Sequence, residues 1–124
     1  YRLVSNFDPD CIGVIYDPGN MVFEGYEKWQ MGLELLGPYL SYVHVKNAGM
    51  FPEPEAPDGS RQWKGQVVPM NEGIVQWKDL LYVFNRLGYS GWMSFEDFSP
   101  GDTREKLQRN LQYMKSLEAE LGIQ

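Results

Sequence analysis

Short apolar runs alternate with longer amphipathic segments along the chain. The three apolar runs are typical of buried strands in a parallel sheet. They lie near residues 11–17, 40–46 and 91–96, with the cores CIGVIY, LSYVHV and GWMSF. Because each run is followed by a segment with helical spacing, the pattern predicts parallel strands joined by right-handed helical crossovers.

The segments that follow the predicted strands repeat apolar residues at steps of three and four, which indicates helices with one buried face. We predict these helices near residues 24–36, 73–87 and 102–121. The expected buried positions are Tyr26, Trp29, Leu33, Leu36 and Leu40, then Trp77, Leu80, Leu81, Phe84 and Leu87, and finally Leu107, Leu111, Met114, Leu117 and Leu121. Asp102 followed by Glu105 resembles a capping box at the start of the last helix.

The segment 47–71 is rich in Pro and Gly and has no clear period. It predicts a long loop, and loops of this length are usually binding loops or lids, with disorder as the alternative. The whole chain, 1–124, then forms one α/β domain with the order β-α-β-α-β-α. This pattern fits both a piece of a doubly wound sheet and an arc of a barrel, since both are built from the same unit.

Composition narrows the possible partners and surroundings. A net charge of −6, a pI near 4.7 and the lack of Lys/Arg clusters argue against a nucleic-acid partner. No apolar stretch approaches the roughly 20 residues of a membrane helix, so we expect no membrane partner. The single cysteine, Cys11, cannot form an internal disulfide, and its apolar surroundings predict a buried thiol in a reducing cytoplasm.

Each predicted strand ends at an ionisable residue. Asp17 closes the first strand, His44 lies near the end of the second, and Glu96 closes the third. The carboxyl ends of parallel strands meet at one edge of a sheet, so these three side chains are expected to converge. Two carboxylates and an imidazole suit a divalent cation such as Mn²⁺, Mg²⁺, Co²⁺ or Zn²⁺.

Simpler explanations exist for each residue alone. Asp17 precedes Pro and Gly, which is common turn chemistry. A lone histidine in an apolar strand, such as His44, is more often structural than a ligand, and Glu96 beside Asp97 fits a solvated strand end. Their joint occurrence at equivalent ends of successive strands nevertheless favours a site.

Several longer stretches carry a resemblance to a known family. They are IGVIYDPGN, YVHVKN and GYSGWMSFEDF, with VQWKDLLYVFNRL between the second and the third. They resemble the xylose isomerase-like barrel superfamily, which includes ketose 3-epimerases, inosose-pathway enzymes, hydroxypyruvate isomerases and endonuclease IV. The resemblance covers nearly the whole chain. It implies the C-terminal part of a (β/α)8 TIM barrel, with the three parallel strands as the sixth, seventh and eighth.

In the ketose 3-epimerase branch, a divalent metal is held by Glu, Asp, His and Glu at the ends of strands five to eight. By resemblance, Asp17 matches the aspartate, His44 the histidine, and Glu96 the final glutamate, which also serves as an acid/base. The fifth-strand glutamate has no counterpart and would lie upstream of Tyr1. Asn20 stands where many epimerases have a substrate-binding histidine, and it is still able to hydrogen-bond a sugar hydroxyl.

The resemblance therefore implies a metal-dependent sugar isomerase or epimerase that moves a proton through an enediolate of a ketose, keto-polyol or sugar phosphate. Lys46 and Trp63 are further candidates for substrate contact. The arginine expected shortly after the seventh-strand histidine is absent, which counts against a specific ketose 3-epimerase assignment. His44 is the only histidine, so the additional histidine ligands of endonuclease IV are missing.

Two further expectations concern the chain taken by itself. With one metal ligand missing, we expect it to be inactive alone, and a non-catalytic α/β module that binds a polyol or a protein partner is the alternative function. Three strands leave two open sheet edges, so we also expect a homo-oligomer or pairing with the N-terminal half of the barrel.

Overall fold

The computed structural model describes residues 1–25 and 28–123. In chain order its strands and α-helices are β1 (Val14–Tyr16), α1 (Pro18–Glu24), α2 (Trp29–Leu36), β2 (Leu40–Val45), β3 (Asn47–Pro52), β4 (Trp63–Val68), α3 (Trp77–Leu87), β5 (Trp92–Phe95) and α4 (Thr103–Leu121). A 3-10 turn, Gly37–Tyr39, joins α2 to β2. Helices separate β1, β2 and β5 as the hydrophobic pattern predicts, whereas β3 and β4 are additional strands between β2 and α3.

A three-stranded parallel sheet in the order β1-β2-β5 organises the fold. Val43 in β2 pairs with Tyr16 on one side and Met93 on the other, so the three strands end at the same edge. Across residues 1–25 and 28–123, β1 and β5 each pair with β2 alone, which leaves their outer edges open. The sheet is an arc and not a closed barrel.

The two faces of this sheet have different surroundings. Val43 and Val45 are fully buried in the core, whereas His44 between them points to the other face and is partly exposed. On that other face, Ile15 is 56% exposed and Trp92 is 80% exposed, and both pair with Tyr42. The core lies between the sheet and the helices, with its largest fully buried side chains at Trp77, Leu33, Met70, Leu80, Val43 and Val45.

The predicted helix over 24–36 is wrong in its start and extent. Asp17 caps α1 by accepting the backbone N–H of Asn20 at 2.9 Å, and Pro18 occupies the first helical turn, where its missing N–H costs nothing. Gly25, with a φ of 87°, ends α1. A second helix, α2, then begins at Trp29.

The expected buried positions of this first helix differ from the structure at Leu40. Leu33 and Leu36 are buried, as predicted. Leu40 is not helical, because Gly37 and Pro38 end α2 and Leu40 opens β2. Tyr26 lies outside the described residues.

The predicted long loop over 47–71 contains a β-hairpin. Strands β3 and β4 pair antiparallel from Asn47 with Val68 to Pro52 with Trp63. The sequence does not indicate β3 because the strand contains Gly49 and Pro52, and strands are usually poor in both residue types. The ladder forms from backbone hydrogen bonds that do not need an apolar period.

The first half of the last helix buries a different face from the predicted one. Met114 and Leu117 are buried, but Leu107 and Leu111 are exposed, and Lys106 and Asn110 take their places inside. The capping-box aspartate is as predicted, since Asp102 accepts the N–H of Glu105 at 3.0 Å. On α3, Leu87 is likewise exposed, although it was expected to be buried. Polar side chains at Lys106 and Asn110 are buried because they have partners elsewhere in the fold.

The first strand begins later than predicted. It starts at Val14, and Cys11 lies in the preceding turns with its thiol exposed. The prediction that the Cys11 thiol is buried, which was based on the neighbouring apolar residues, is therefore wrong.

Asn47 fixes the start of the hairpin to the segment before α3. Its Nδ2 donates to the carbonyls of Met70 and Val75 at 3.0 and 3.1 Å, and its Oδ1 accepts the N–H groups of Ala48 and Val75 at 2.9 Å. We expect Asn47→Ala to lower the free energy of unfolding by about 3 kcal/mol, because buried backbone groups lose their partners. Urea denaturation measures this change. Asn85→Ala, an exposed asparagine on α3, is the matched control, and equal small losses for both variants would contradict the prediction.

Candidate metal centre

The ends of the three parallel strands bring three ionisable side chains together. Asp17 follows β1 directly, His44 lies in β2, and Glu96 follows β5. The backbone N–H of Glu96 donates to Val45 at 3.0 Å, which extends the pairing of β2 and β5 past the end of β5. Asp17 is held in turn by its capping bond to α1. Backbone hydrogen bonds therefore position both residues at the strand ends.

Distances within this group are short. The Nδ1 atom of His44 lies 3.3 Å from Asp17 Oδ2 and 3.3 Å from Glu96 Oε2. One ligand atom from each of the three residues lies within 4.8 Å of the other two. The side chains are partly buried, with exposed fractions between 12% for Asp17 and 32% for Glu96.

Lys46 joins the same cluster. Its Nζ lies 2.9 Å from Asp17 Oδ2 and contacts Glu96 Oε2, so it bridges the two carboxylates. The ring of Phe98 lies 5.7 Å from the ammonium, in the range of a cation–π contact. Lys46 directly follows β2, and the alternation of side chains along the strand places it on the same face as His44.

The charge of Lys46 follows from this environment. Burial by itself would lower the pKa of the Lys46 amine. The hydrogen bonds to Glu96 and Asp17, together with their negative charges, outweigh burial and hold the pKa above its usual value. The amine is therefore an ammonium at neutral pH.

A second polar network lies behind Glu96. Asp97 accepts the N–H of Ser99 at 2.8 Å and the Nδ2 of Asn110 at 2.7 Å, while Lys106 Nζ donates to the carbonyls of Asp97 at 2.9 Å and Ser99 at 2.5 Å. Burial would raise the pKa of Asp97, but the hydrogen bonds from Ser99 and Asn110 and the charge of Lys106 hold it below its usual value. This network anchors the segment after β5 to α4.

Sequence reasoning missed Lys106 and Asn110. Both lie on α4 in positions that a helical hydrophobic pattern counts as polar surface, and their partner Asp97 lies in the segment between β5 and α4. The sequence signal for their burial was their spacing, since Lys106, Asn110 and Met114 follow one another at four-residue intervals and so lie on one face of the helix.

The other two candidate residues lie farther from the centre of the cluster. Asn20 is exposed in the first turn of α1, and its backbone N–H binds Asp17 Oδ1. Trp63 begins β4 and is 61% exposed; it lines a surface cleft of the hairpin with Glu53 and Lys64. Among the contacts described for residues 1–25 and 28–123, none joins the Trp63 side chain to the cluster of Asp17, His44 and Glu96.

The donor set fits a small divalent cation. Neighbouring ligands of an ion bound at about 2.0–2.1 Å lie roughly 3 Å apart, close to the 3.3 Å between His44 Nδ1 and each carboxylate. Carboxylate oxygen and imidazole nitrogen together suit Mg²⁺, Mn²⁺, Co²⁺ or Zn²⁺. Asp17, His44 and Glu96 would hold such an ion.

Comparison with known protein families shows which family the chain belongs to. A family described as xylose isomerase-like TIM barrel matches residues 1–117. The chain belongs to the xylose isomerase-like TIM barrel family. This membership and the parallel sheet confirm the predicted α/β arc of a TIM barrel, and they resolve the choice between a barrel and a doubly wound sheet.

Solved structures of xylose isomerase-like proteins share this arc. A xylose isomerase domain protein from Planctomyces limnophilus has a TM-score of 0.74 and 21% identity, over 98% of this chain and 43% of that one. A xylose isomerase-like TIM barrel protein from Mycobacterium smegmatis, determined in complex with magnesium, has a TM-score of 0.63 and 20% identity, over 89% of this chain and 35% of that one. The chain thus spans less than half the length of either structure. Among curated proteins, none matches the sequence.

The helices of this family member show no membrane character. Within residues 1–25 and 28–123, none is both long enough and apolar enough to cross a bilayer.

Proposed function

We propose that the protein is a metal-dependent sugar isomerase or epimerase acting on a ketose, keto-polyol or sugar phosphate. The observation that carries this proposal is the convergence of Asp17, His44 and Glu96 at the ends of three neighbouring parallel strands. Barrel enzymes place their chemistry at this edge. Membership in the xylose isomerase-like family and the magnesium complex of the Mycobacterium smegmatis neighbour add support.

The proposed roles follow from position and chemistry. When bound, the metal supplies Lewis-acid polarisation of the substrate's carbonyl and hydroxyl oxygens. Glu96 is partly exposed, so its carboxylate is able both to bind metal and to take a proton from the carbon beside the carbonyl, which gives an enediolate. Return of the proton to the neighbouring carbon would complete isomerisation. Epimerisation needs a proton from the opposite face, which the fifth-strand glutamate missing from this chain would supply. Asn20, exposed beside Asp17, is the proposed hydrogen-bonding partner of a sugar hydroxyl.

Lys46 and Trp63 do not reach a substrate directly in the arrangement of this arc. The ammonium of Lys46 is occupied by two carboxylates, so it reaches substrate only by leaving one of them. A contact between Trp63 and a substrate at the metal centre would need the hairpin to move toward the ends of the parallel strands. We therefore propose Lys46 and Trp63 as substrate contacts of the assembled barrel and not of the arc alone.

A second candidate function is a non-catalytic module that binds a polyol or a protein. The bridge from Lys46 to Asp17 and Glu96 favours it, because an ammonium between two carboxylates offsets part of their negative charge without any metal. Metal content distinguishes the two functions, since a stoichiometric divalent ion is needed by the enzyme and not by the module.

The proposed setting of the protein also rests on the residues. The single, exposed cysteine favours a reducing cytoplasm. The open edges of β1 and β5 favour pairing with the remaining strands of a barrel or with a second copy. The missing fourth ligand would come from that neighbouring structure, and without it we expect the chain to lack activity.

Metal removal provides the direct test. Treating the full-length protein with a chelator should lower its melting temperature, and adding Mn²⁺ at about 100 times its Kd should restore about 2.7 kcal/mol of stability. Elemental analysis before treatment identifies the ion, and an assay against ketoses and keto-inositols identifies the reaction. His44→Gln should abolish the metal-dependent shift, whereas Asp58→Asn, at the exposed end of the hairpin, should retain it. Absence of any bound divalent metal would refute the enzyme proposal.

A further inference from the structure

We propose that Lys46 is a resident cation whose ammonium competes with the divalent metal for Asp17 and Glu96, and thereby sets the affinity of the site. This proposal rests on the proposed metal site and adds a regulatory part to it. Lys46 is then more than a polar neighbour: it occupies the carboxylates while the metal is absent and has to give them up when the metal binds.

The contacts of the ammonium overlap with those of a metal. Lys46 Nζ binds Oδ2 of Asp17 and Oε2 of Glu96, which are the same two oxygen atoms that lie 3.3 Å from His44 Nδ1. The ammonium therefore uses the ligand atoms that face the centre of the cluster. A lysine that neutralised the carboxylates from outside would use their outer oxygens.

Asp17 has no spare oxygen with which to satisfy both cations. Its Oδ1 accepts the backbone N–H of Asn20 as the cap of α1, which leaves Oδ2 to face Lys46 and His44. An ammonium and a dication placed together on Oδ2 repel each other at close range. Metal binding is thus expected to displace the ammonium from Asp17.

The path of the lysine side chain is built into the fold. Lys46 is 4% exposed, and its alkyl chain runs against Gly19 of α1 so closely that a Cβ at Gly19 would overlap Lys46 Cγ. Its carbonyl accepts the Nε1–H of Trp77 at 3.1 Å, which fixes the backbone beneath it. Phe98 faces the ammonium. A surface lysine that met the carboxylates by chance would have none of these restraints.

The test removes the charge and keeps the shape of the side chain. In the full-length protein stripped with a chelator, we would titrate Mn²⁺ calorimetrically into the wild type, Lys46→Met and Lys64→Met. Loss of the competing ammonium should tighten the Kd of Lys46→Met by at least about tenfold. Lys64→Met alters an exposed hairpin lysine and should match the wild type.

A second variant covers the case in which Lys46→Met fails to fold. Gly19→Ala retains every charge, but its added methyl group occupies the space of the Lys46 alkyl chain. The ammonium should therefore move away from the two carboxylates. Its Kd for Mn²⁺ should also tighten, by less than that of Lys46→Met. Circular dichroism checks that each variant has the helix content of the wild type before titration.

Each outcome bears on the proposal. Tighter binding of Mn²⁺ by Lys46→Met than by the wild type supports the competition. If the wild type binds no Mn²⁺ and Lys46→Met does, the result also supports the competition but argues against the proposed enzyme. Equal or weaker binding by both variants, with normal binding by the wild type, overturns the competition and leaves the metal site intact. Absence of binding in all proteins overturns both the competition and the proposed function.

Discussion

Replacing Glu96 with glutamine should lower the turnover of the full-length protein by about a hundred- to ten-thousandfold, because an amide cannot accept the proton that general base catalysis transfers. The size of the side chain is unchanged, and the backbone pairing of Glu96 with Val45 does not depend on the carboxylate. Steady-state kinetics on whichever ketose or keto-polyol proves active gives kcat and KM for both proteins.

A loss of metal alone would imitate this result, since Glu96 is also a proposed ligand. Calorimetric titration of Mn²⁺ into Glu96→Gln separates the two effects, and kcat should stay low when the metal is saturating. Glu72→Gln, which changes an exposed glutamate after β4, is the matched control and should retain wild-type turnover. A kcat for Glu96→Gln within about threefold of the wild type would rule out Glu96 as the acid/base.

Trp77→Ala should lower the free energy of unfolding by about 3–5 kcal/mol, the range for removing a buried aromatic side chain. Trp77 is 1% exposed and is the largest fully buried side chain. Its indole N–H also donates to the carbonyl of Lys46, so the substitution leaves that carbonyl without its partner. Equilibrium denaturation of the full-length protein measures the loss.

Position on α3 alone does not account for this effect. Tyr82→Ala lies on the exposed face of the same helix and should change stability by less than about 1 kcal/mol. If both variants lost the same free energy, the burial of Trp77 would not be the source of its contribution. Because Trp77 supports the Lys46 backbone, its loss should also weaken the restraint on the ammonium.

The parallel sheet and its functional edge were predictable because they depend on local patterns. Short apolar runs marked the strands, and the ionisable residues at their ends, Asp17, His44 and Glu96, meet in the structure as the geometry of parallel strands requires. Alternation along β2 placed Lys46 on the same side as His44. It did not predict that the ammonium would lie between the two carboxylates.

The features that the sequence did not predict depend on backbone pairing, polar contacts and backbone conformation. The hairpin of β3 and β4 is held by backbone pairing and by Asn47, whose four hydrogen bonds no hydrophobic period records. Lys106 and Asn110 are buried because Asp97 and its neighbours satisfy them. The sequence did not predict α1, which precedes the predicted helix over 24–36 and ends at Gly25, where φ is positive.

The capping bond of Asp17 also bears on which ions the proposed site would select. With Oδ1 accepting the N–H of Asn20, this carboxylate would offer Oδ2 to a bound ion and would bind it through one oxygen. Ca²⁺ takes about six to eight oxygens and often uses both atoms of a carboxylate, whereas Mg²⁺ is satisfied by single oxygens in an octahedron. We therefore expect the hydrogen bond that starts α1 to disfavour the larger ion at the other oxygen of the same carboxylate.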